Sequence, residues 1–268
     1  MATDTFDFDS LAEFLAEAEQ PPRDESLSNS SQDETRPEFH GSTSYAHALT
    51  MARYGWPEGL ARMEQARAAV QVPDTMENLT PLPVISEDGD EILVDRYLDG
   101  ESDHFLAFPQ AFTPRRGRIA AVVVNVGGSH KINPETYFRR GAAALAVVDA
   151  LERAGIRCEV RICQTARTSK KTYTFRATLK RPEDPLELDR MAFFLASQSV
   201  QRRFLFRLRE RTANPSAWTK NGYGECLNFT AADLPEGAIY FPAPDENITE
   251  AQAVRMAQDK LSAWTAAQ

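Results

Sequence analysis

The run GRIAAVVVNV, residues 117–126, constrains this 268-residue chain more than any other stretch. From Ile119 to Val126 only Asn125 is polar, and a continuous β-branched run without alternation is what a parallel strand buried on both faces between helices carries. The loop NVGGSH follows, and then a helix is predicted over residues 134–154. Asn133 caps it, Pro134 opens it, Phe138, Ala142, Leu145, Val148 and Leu151 form its apolar stripe, and Gly155 stops it. IRCEVRIC (156–163) and KTYTFRATLK (171–180) alternate apolar with polar residues and read as half-exposed strands. A right-handed crossover brings the first of these beside the valine-rich strand, and the second folds back on it as an antiparallel edge.

Two alternatives stand for residues 184–212: one long helix, or two with a joint at Ser197 to Ser199. GAIYFPA is a short strand. A final helix follows, capped by Asn247 or Thr249, with Ala251, Val254, Met256, Leu261 and Trp264 available for burial. Residues 114–268 are thus expected to form an α/β domain of Rossmann-like type, with a mostly parallel sheet and one antiparallel edge strand.

Ahead of it, residues 1–40 hold eleven Asp/Glu against two Arg, a net charge of −9. QPPRDESLSNSSQDETRPE has one Leu in nineteen residues, too little apolar surface to offset the entropy of ordering. Residues 1–38 are therefore expected to be an acidic, mostly disordered tail. It contains one short amphipathic helix built on Phe8, Leu11, Phe14 and Leu15, with Asp9 or Ser10 as cap. Residues 39–113 predict a helical hairpin and a loop-rich extension. Ser42 to Ser44 cap the first helix, Gly55 ends it, Pro57 opens the second, and Trp56 anchors the corner. As a DNA-reading helix-turn-helix the second helix would offer only Arg62 and Arg67. Short strands are expected in EILVDRYL and HFLAFP. No run of about 18 apolar residues is present, and the three cysteines are too few for a disulfide framework, so a cytoplasmic protein without a membrane span is expected.

Over residues 118–266 the order strand, loop, helix, strand, antiparallel strand, helix, strand, helix resembles a von Willebrand factor A type domain. Such domains place DxSxS after the first central strand, where it helps to hold Mg²⁺. NVGGS stands at that point here. Ser129 matches, Asn125 replaces the carboxylate, Gly127 removes a hydroxyl, and Asp245 falls where a later carboxylate would stand. The resemblance thus implies a degenerate metal loop, and no metal or cofactor is expected. FHGSTSYAHALTMARYGWPEGLARM, VDRYLDGE, the block from RIAAVVV to ERAG, and LELDRMAFFLASQSVQRRFLF are similar to successive blocks of an uncharacterised bacteriophage family. That likeness covers residues 39–211 and implies phage origin and residence in the host cytoplasm.

Catalytic constellations are sparse. His40, His47, His104 and His130 are scattered, and Cys158 and Cys163 are separated by four residues on one strand, so zinc is not expected. Ser129 and His130 are adjacent on an extended loop and point apart. Gly127 and Gly128 could cradle an anion beside Lys131, but no P-loop or GxGxxG is present. The stronger lead is charge: residues 157–211 hold fourteen Lys/Arg and six Asp/Glu, a net +8. Alternation places Arg157, Arg161, Arg176 and Lys180 on one face, the connecting loop adds Arg167, Lys170 and Lys171, and Arg202, Arg203, Arg207, Arg209 and Arg211 follow. Two readings stay open: a non-enzymatic protein-interaction module with a host or phage partner, and a nucleic-acid-associated protein using this basic segment on phosphates. An enzyme ranks third. The acidic tail is expected to be able to fold over the basic segment.

Overall fold

The computed structural model describes residues 2–23, 31–70, 84–89, 91–107, 119–168, 171–212 and 223–267. They gather into two units, Met1–Val72 with Ile119–Gln268, and Pro73–Arg118.

The larger unit opens with a strand, β1 (Ala2–Phe8), where a disordered tail was expected. It pairs in parallel with residues 171–177. Phe6 stacks on Phe175 at 5.1 Å between ring centroids. The physical reason lies in alternation: Phe6 and Phe8 share one face of an extended chain, which a charge average over forty residues conceals. Helix α1 (Leu11–Ala18) follows, capped by Ser10, whose Oγ accepts the Glu13 N–H at 3.2 Å. Its Phe14 meets Phe8, Phe194 and Phe204 edge-on. Within the Pro- and Ser-rich stretch, residues 24–30 lie outside the described residues. Ser31 is buried, and α2 (Pro37–His40) buries His40.

Helix α3 (Tyr45–Tyr54) is capped by Ser44 and ends at Gly55, whose φ of 93° lies in the range that favours glycine. The second helix divides into α4 (Pro57–Arg62) and α5 (Glu64–Ala69). Trp56 packs edge-on against Phe138 at 6.0 Å. A Cβ on Gly59 would overlap the Trp56 indole.

In the smaller unit, β2 (Val84–Ser86), β3 (Glu91–Ile92) and β4 (Phe105–Ala107) form an antiparallel sheet in the order β2-β4-β3. EILVDRYL supplies only two strand residues before α6 (Val94–Leu98). Val94, Tyr97 and Leu98 have i, i+3, i+4 spacing, which suits a helix better than a strand. The last residues of HFLAFP, 108 and 109, lie outside the described residues.

The main sheet is built from β5 (Ile119–Asn125), β6 (Arg157–Arg167), β7 (Lys171–Lys180), β8 (Glu225–Leu227) and β9 (Ile239–Phe241) together with β1. The strand order is β1-β7-β6-β5-β9, with β8 against β6 beyond the end of β5. β5 is parallel to β6 and β9, while β6 and β7 are antiparallel. β7 is therefore not an edge strand, because β1 occupies its outer side. Helix α7 (Pro134–Arg153) runs between β5 and β6, its Asn133 cap accepting the Thr136 N–H at 2.8 Å. After β7 come α8 (Leu188–Ala196), a π-helical turn (Val200–Leu205) and α9 (Phe206–Glu210), so the joint at Ser197 to Ser199 is real. Helix α10 (Glu250–Ala266) closes the fold. Thr249 is its cap, in a reciprocal pair with Gln252. It buries Ala253, Ala257, Leu261 and Trp264, and of the five residues expected to be buried only the last two are.

The two faces of the sheet differ. Val122, Val124, Val160, Ile162, Phe175 and Phe241 share the face on which the helices pack: the Cys158 thiol reaches the Val148 carbonyl of α7, Lys260 of α10 lies over Phe241, and Phe14 of α1 meets Phe8. On the other face Phe229, Leu234 and Ala238 cover Val123, Cys163 and Tyr240. Ile119 is 58 % exposed. The expected sandwich of β5 between two helical layers is therefore not formed by the described residues. Small side chains (Ala120, Ala121) and a loop cover suffice to account for the uninterrupted apolar run.

Candidate functional site: a cavity with an arginine floor

The NVGGSH loop leaves the C-terminal end of β5, the side of an α/β sheet where ligands bind. Asn125 is fully buried, and both ends of its amide are used within the protein. Its Oδ1 accepts the Gly127 N–H at 3.0 Å, and its Nδ2 donates to the Leu227 carbonyl at 3.0 Å and to Asn228 Oδ1 at 3.2 Å. An aspartate here would turn a second oxygen toward two acceptors, which gives the amide a structural reason independent of any metal. Gly127 is fixed by proximity: a Cβ would overlap Cys226 Sγ and the Gln164 side chain. Ser129 is exposed, and its Oγ accepts the Lys131 N–H at 3.3 Å. Asp245 lines the same cavity as Ser129, whereas Asn125 and Gly127 do not. Among the described residues no group of three or more His, Cys, Asp or Glu could hold a metal ion. The Gly127 N–H, proposed from sequence as part of an anion cradle, is likewise already engaged by Asn125.

Positive charge reaches this crevice from elsewhere. The cavity beside the loop measures about 460 Å³, within the usual range for small-ligand sites. The π-helical turn presents Gln201 and Arg202 to it, and α9 presents Phe206 and Arg209. A π-turn carries an extra residue per turn and recurs at functional sites. Gln201 Nε2 donates to the Gly128 carbonyl at 3.0 Å, and Tyr137 Oη donates to the Ser129 carbonyl at 3.0 Å, so the loop is tied to both α7 and the π-turn. Arg202 is 3 % exposed. Its Nη1 donates to the Phe39 carbonyl at 2.6 Å and to Gln198 Oε1 at 2.8 Å, and its guanidinium lies 3.9 Å from the Phe39 ring centroid. Among the described residues Arg202 Nη2 is buried without a hydrogen bond of good geometry, and the Tyr137 hydroxyl stands within interaction range of the guanidinium. Arg209 donates to Gln164 Oε1 and lies over the Phe175 and Phe206 rings. Behind the loop, Arg140 donates to the carbonyls of Asn125 and Pro242. Among the described residues no carboxylate forms an ion pair with Arg140 or Arg202. Burial lowers the pKa of all three guanidinia, that of Arg209 to about 10.

Tyr223 completes the wall. It has a φ of 69°, rare for a residue with a side chain, stacks on Phe206 at 4.0 Å, and donates to Glu210 Oε1 at 2.7 Å. Strain of this kind concentrates where structure serves binding. The thiols of Cys158, Cys163 and Cys226 are all pushed up by burial, that of Cys158 to about 12.

The basic residues of the strands have a different fate. Lys180 does not share a face with Arg157, Arg161 and Arg176. The register shifts between Val160 and Arg161, so that Lys180 sits opposite Val160 on the helix side. There Lys180 Nζ meets Glu152 at 2.7 Å and donates to the Cys158 carbonyl at 3.0 Å. A β-bulge flips the faces beyond it, and strict alternation cannot foresee one. Arg157 pairs with Glu152 at 3.4 Å, Arg161 with Glu159 at 2.7 Å and Arg167 with Glu225 at 2.7 Å. Arg176 lies 3.6 Å from Asp7 and over the Phe229 ring. Lys171 lies over Tyr173 at 5.7 Å, and Lys170 lies outside the described residues. Arg203 and Arg207 are buried against the N-terminal segment and do not line the cavity. Arg140, Phe39, Gln164, Gln201 and Tyr223 escaped sequence reading. The one available signal was an arginine inside the apolar span of α7.

The fold and this crevice define an α/β protein with a mostly parallel central sheet and a buried-arginine cavity at its C-terminal edge. The chain belongs to a family described as a domain of unknown function, DUF7192, whose model matches residues 3–263. No curated protein and no solved structure matches it. Among the described residues no helix is long and apolar enough to cross a membrane.

Proposed function

We propose that the chain is a non-enzymatic binding module whose recognition site is the cavity at the end of β5, and that the group it accepts is an anion on its partner. One observation carries this: Arg202 is buried at the cavity wall, and among the described residues no carboxylate pairs with it and Nη2 makes no hydrogen bond of good geometry. A buried guanidinium is costly unless a counter-charge arrives. No described residue supplies it, which leaves that role to a ligand. The non-enzymatic reading draws on the bonded Ser129 hydroxyl and on thiols raised by burial. Phage origin, work in the host cytoplasm and a protein partner complete the proposal. They rest on the resemblance over residues 39–211, while kinship to von Willebrand A domains rests on strand order and the position of the NVGGSH loop.

Calorimetric titration of the full chain with acetate and with inorganic phosphate tests the site. At least one should bind, and Arg202→Gln, with its circular dichroism unchanged, should weaken that binding about ten-fold or more, the scale of one charge-assisted hydrogen-bonded pair. Failure of both anions to bind, or binding indifferent to Arg202→Gln, would defeat the proposal. Nucleic-acid association through the strand arginines is the competing reading. Salt-sensitive DNA retardation that survives Arg202→Gln would favour it.

A further inference from the structure

The cavity is graded in charge along its depth. Arg202 and Arg209, at 3 % and 1 % exposed, form its floor. Asp245 and Glu225, both exposed, stand at its mouth. Glu225 is engaged by Arg167 at 2.7 Å, whereas Asp245 makes no ion pair or hydrogen bond with any described residue. The rings of Phe39, Phe206 and Tyr223 line the same cavity.

Resting on the anion site proposed above, we infer that its ligand is dipolar: a carboxylate that enters first and a cationic group that stays at the mouth beside Asp245. With Glu225 paired to Arg167, Asp245 is the lining carboxylate that no described residue neutralises. A dianionic phosphate would face the acids at the mouth with its surplus charge, and like charges at that range repel. A singly charged carboxylate suits the one terminal nitrogen of Arg202 that Phe39 and Gln198 leave free, and an ammonium or guanidinium at the other end of the ligand matches Asp245. The aliphatic stem between the two would lie against the aromatic walls. Two sources share this chemistry: a free basic amino acid, and the carboxy-terminal Lys or Arg of a polypeptide.

Calorimetry of the full chain separates the possibilities with four probes: acetate, L-lysine, a short peptide ending in lysine with a free carboxylate, and the same peptide amidated. Lysine or the free peptide should bind about ten-fold or more tightly than acetate, a difference of about 1.4 kcal/mol. Asp245→Asn, an exposed replacement, should erase that advantage and leave acetate binding intact. Binding of free lysine alone identifies the amino acid as the source, and binding of the peptide that amidation abolishes identifies a chain terminus. Equal affinity for acetate and lysine, tighter binding of inorganic phosphate, or an advantage that survives Asp245→Asn would overturn the dipolar ligand while sparing the anion site. Loss of all anion binding in the native chain would remove both.

Discussion

The arginines of β6 and β7 and those of the π-turn and α9 look alike in sequence and do opposite work. Arg157, Arg161 and Arg167 stand at the surface with a nearby carboxylate each. Arg202, Arg203 and Arg209 are at most 3 % exposed and donate chiefly to carbonyl and amide oxygens or lie over rings. The first group solvates a sheet. The second fastens the N-terminal segment and lines a cavity. A cluster of +8 in sequence is thus no measure of surface charge, because burial is decided by where helices pack and not by the count of basic residues.

The largest effect that could break this contrast is expected at Arg203. Its guanidinium donates to the carbonyls of Ser31 at 2.8 Å, Asp33 at 2.9 Å and Ser42 at 3.0 Å. Arg203→Met would strand three acceptors, two of them in buried contacts and one part-buried, so urea unfolding should show a loss of about 3 kcal/mol or more. A loss below about 1 kcal/mol would place Arg203 with the surface group.

Acid should act on the same seam with an intermediate effect. His40 is fully buried, and burial first and then the Arg203 charge lower its pKa from 6.5 to about 4; Asp33 pulls it up and Arg36 pushes it down. The unfolded chain therefore binds a proton that the folded chain refuses between these values, and stability should fall as pH drops from about 6.5 to about 4. Asp33 keeps its charge across this window, because hydrogen bonds from Thr35 hold its carboxyl well below the usual range. A melting temperature that is flat from pH 7 to pH 4, or a slope unchanged in His40→Gln, would refute the assignment.

The smallest change should come from the strands. Arg161→Ala and Arg167→Ala, with side chains 38 % and 46 % exposed, should each shift stability by less than about 1 kcal/mol, as exposed pairs do. A larger loss at either would erase the distinction between the two sets.

Expectation and outcome diverge most instructively at the N-terminus. Opposite charges predicted that the acidic tail could lie over the basic segment, and its described parts, residues 2–23 and 31–38, do contact it. The force is mostly different. β1 adds a parallel strand to β7, Phe14 enters an aromatic cluster, and Arg207 and Arg211 bind the carbonyls of Gln20 and Pro21. Only contacts such as Arg211 with Glu17 and Arg176 with Asp7 are between charges. Ser31, Arg207, Tyr223 and Glu210 form a buried network across 192 residues of chain, from Ser31 to Tyr223. No local pattern announces it. For the candidate site the loop was legible, since a polar glycine pair after an apolar strand marks a crevice. The charge that serves it was legible as composition and misplaced in space.

By itself, the sequence determined the elements whose signals are local. Asn133 with Gly155 bounds α7, strict alternation yields β7 over residues 171–180, Asn247 or Thr249 offers the cap of α10, and Ser197 to Ser199 offers the joint of one of two alternatives, the one that the π-turn follows. Tertiary structure alone decided that helices cover one face of the sheet, that a bulge sends Lys180 inward, and that Arg202 is buried at a cavity wall with no carboxylate paired to it among the described residues. Caps and periodicity act over a few residues, within reach of one window. Burial of a charge depends on which distant segments close over it, and the distance along the chain between Phe39, Ser129 and Arg202 carries no mark of their meeting.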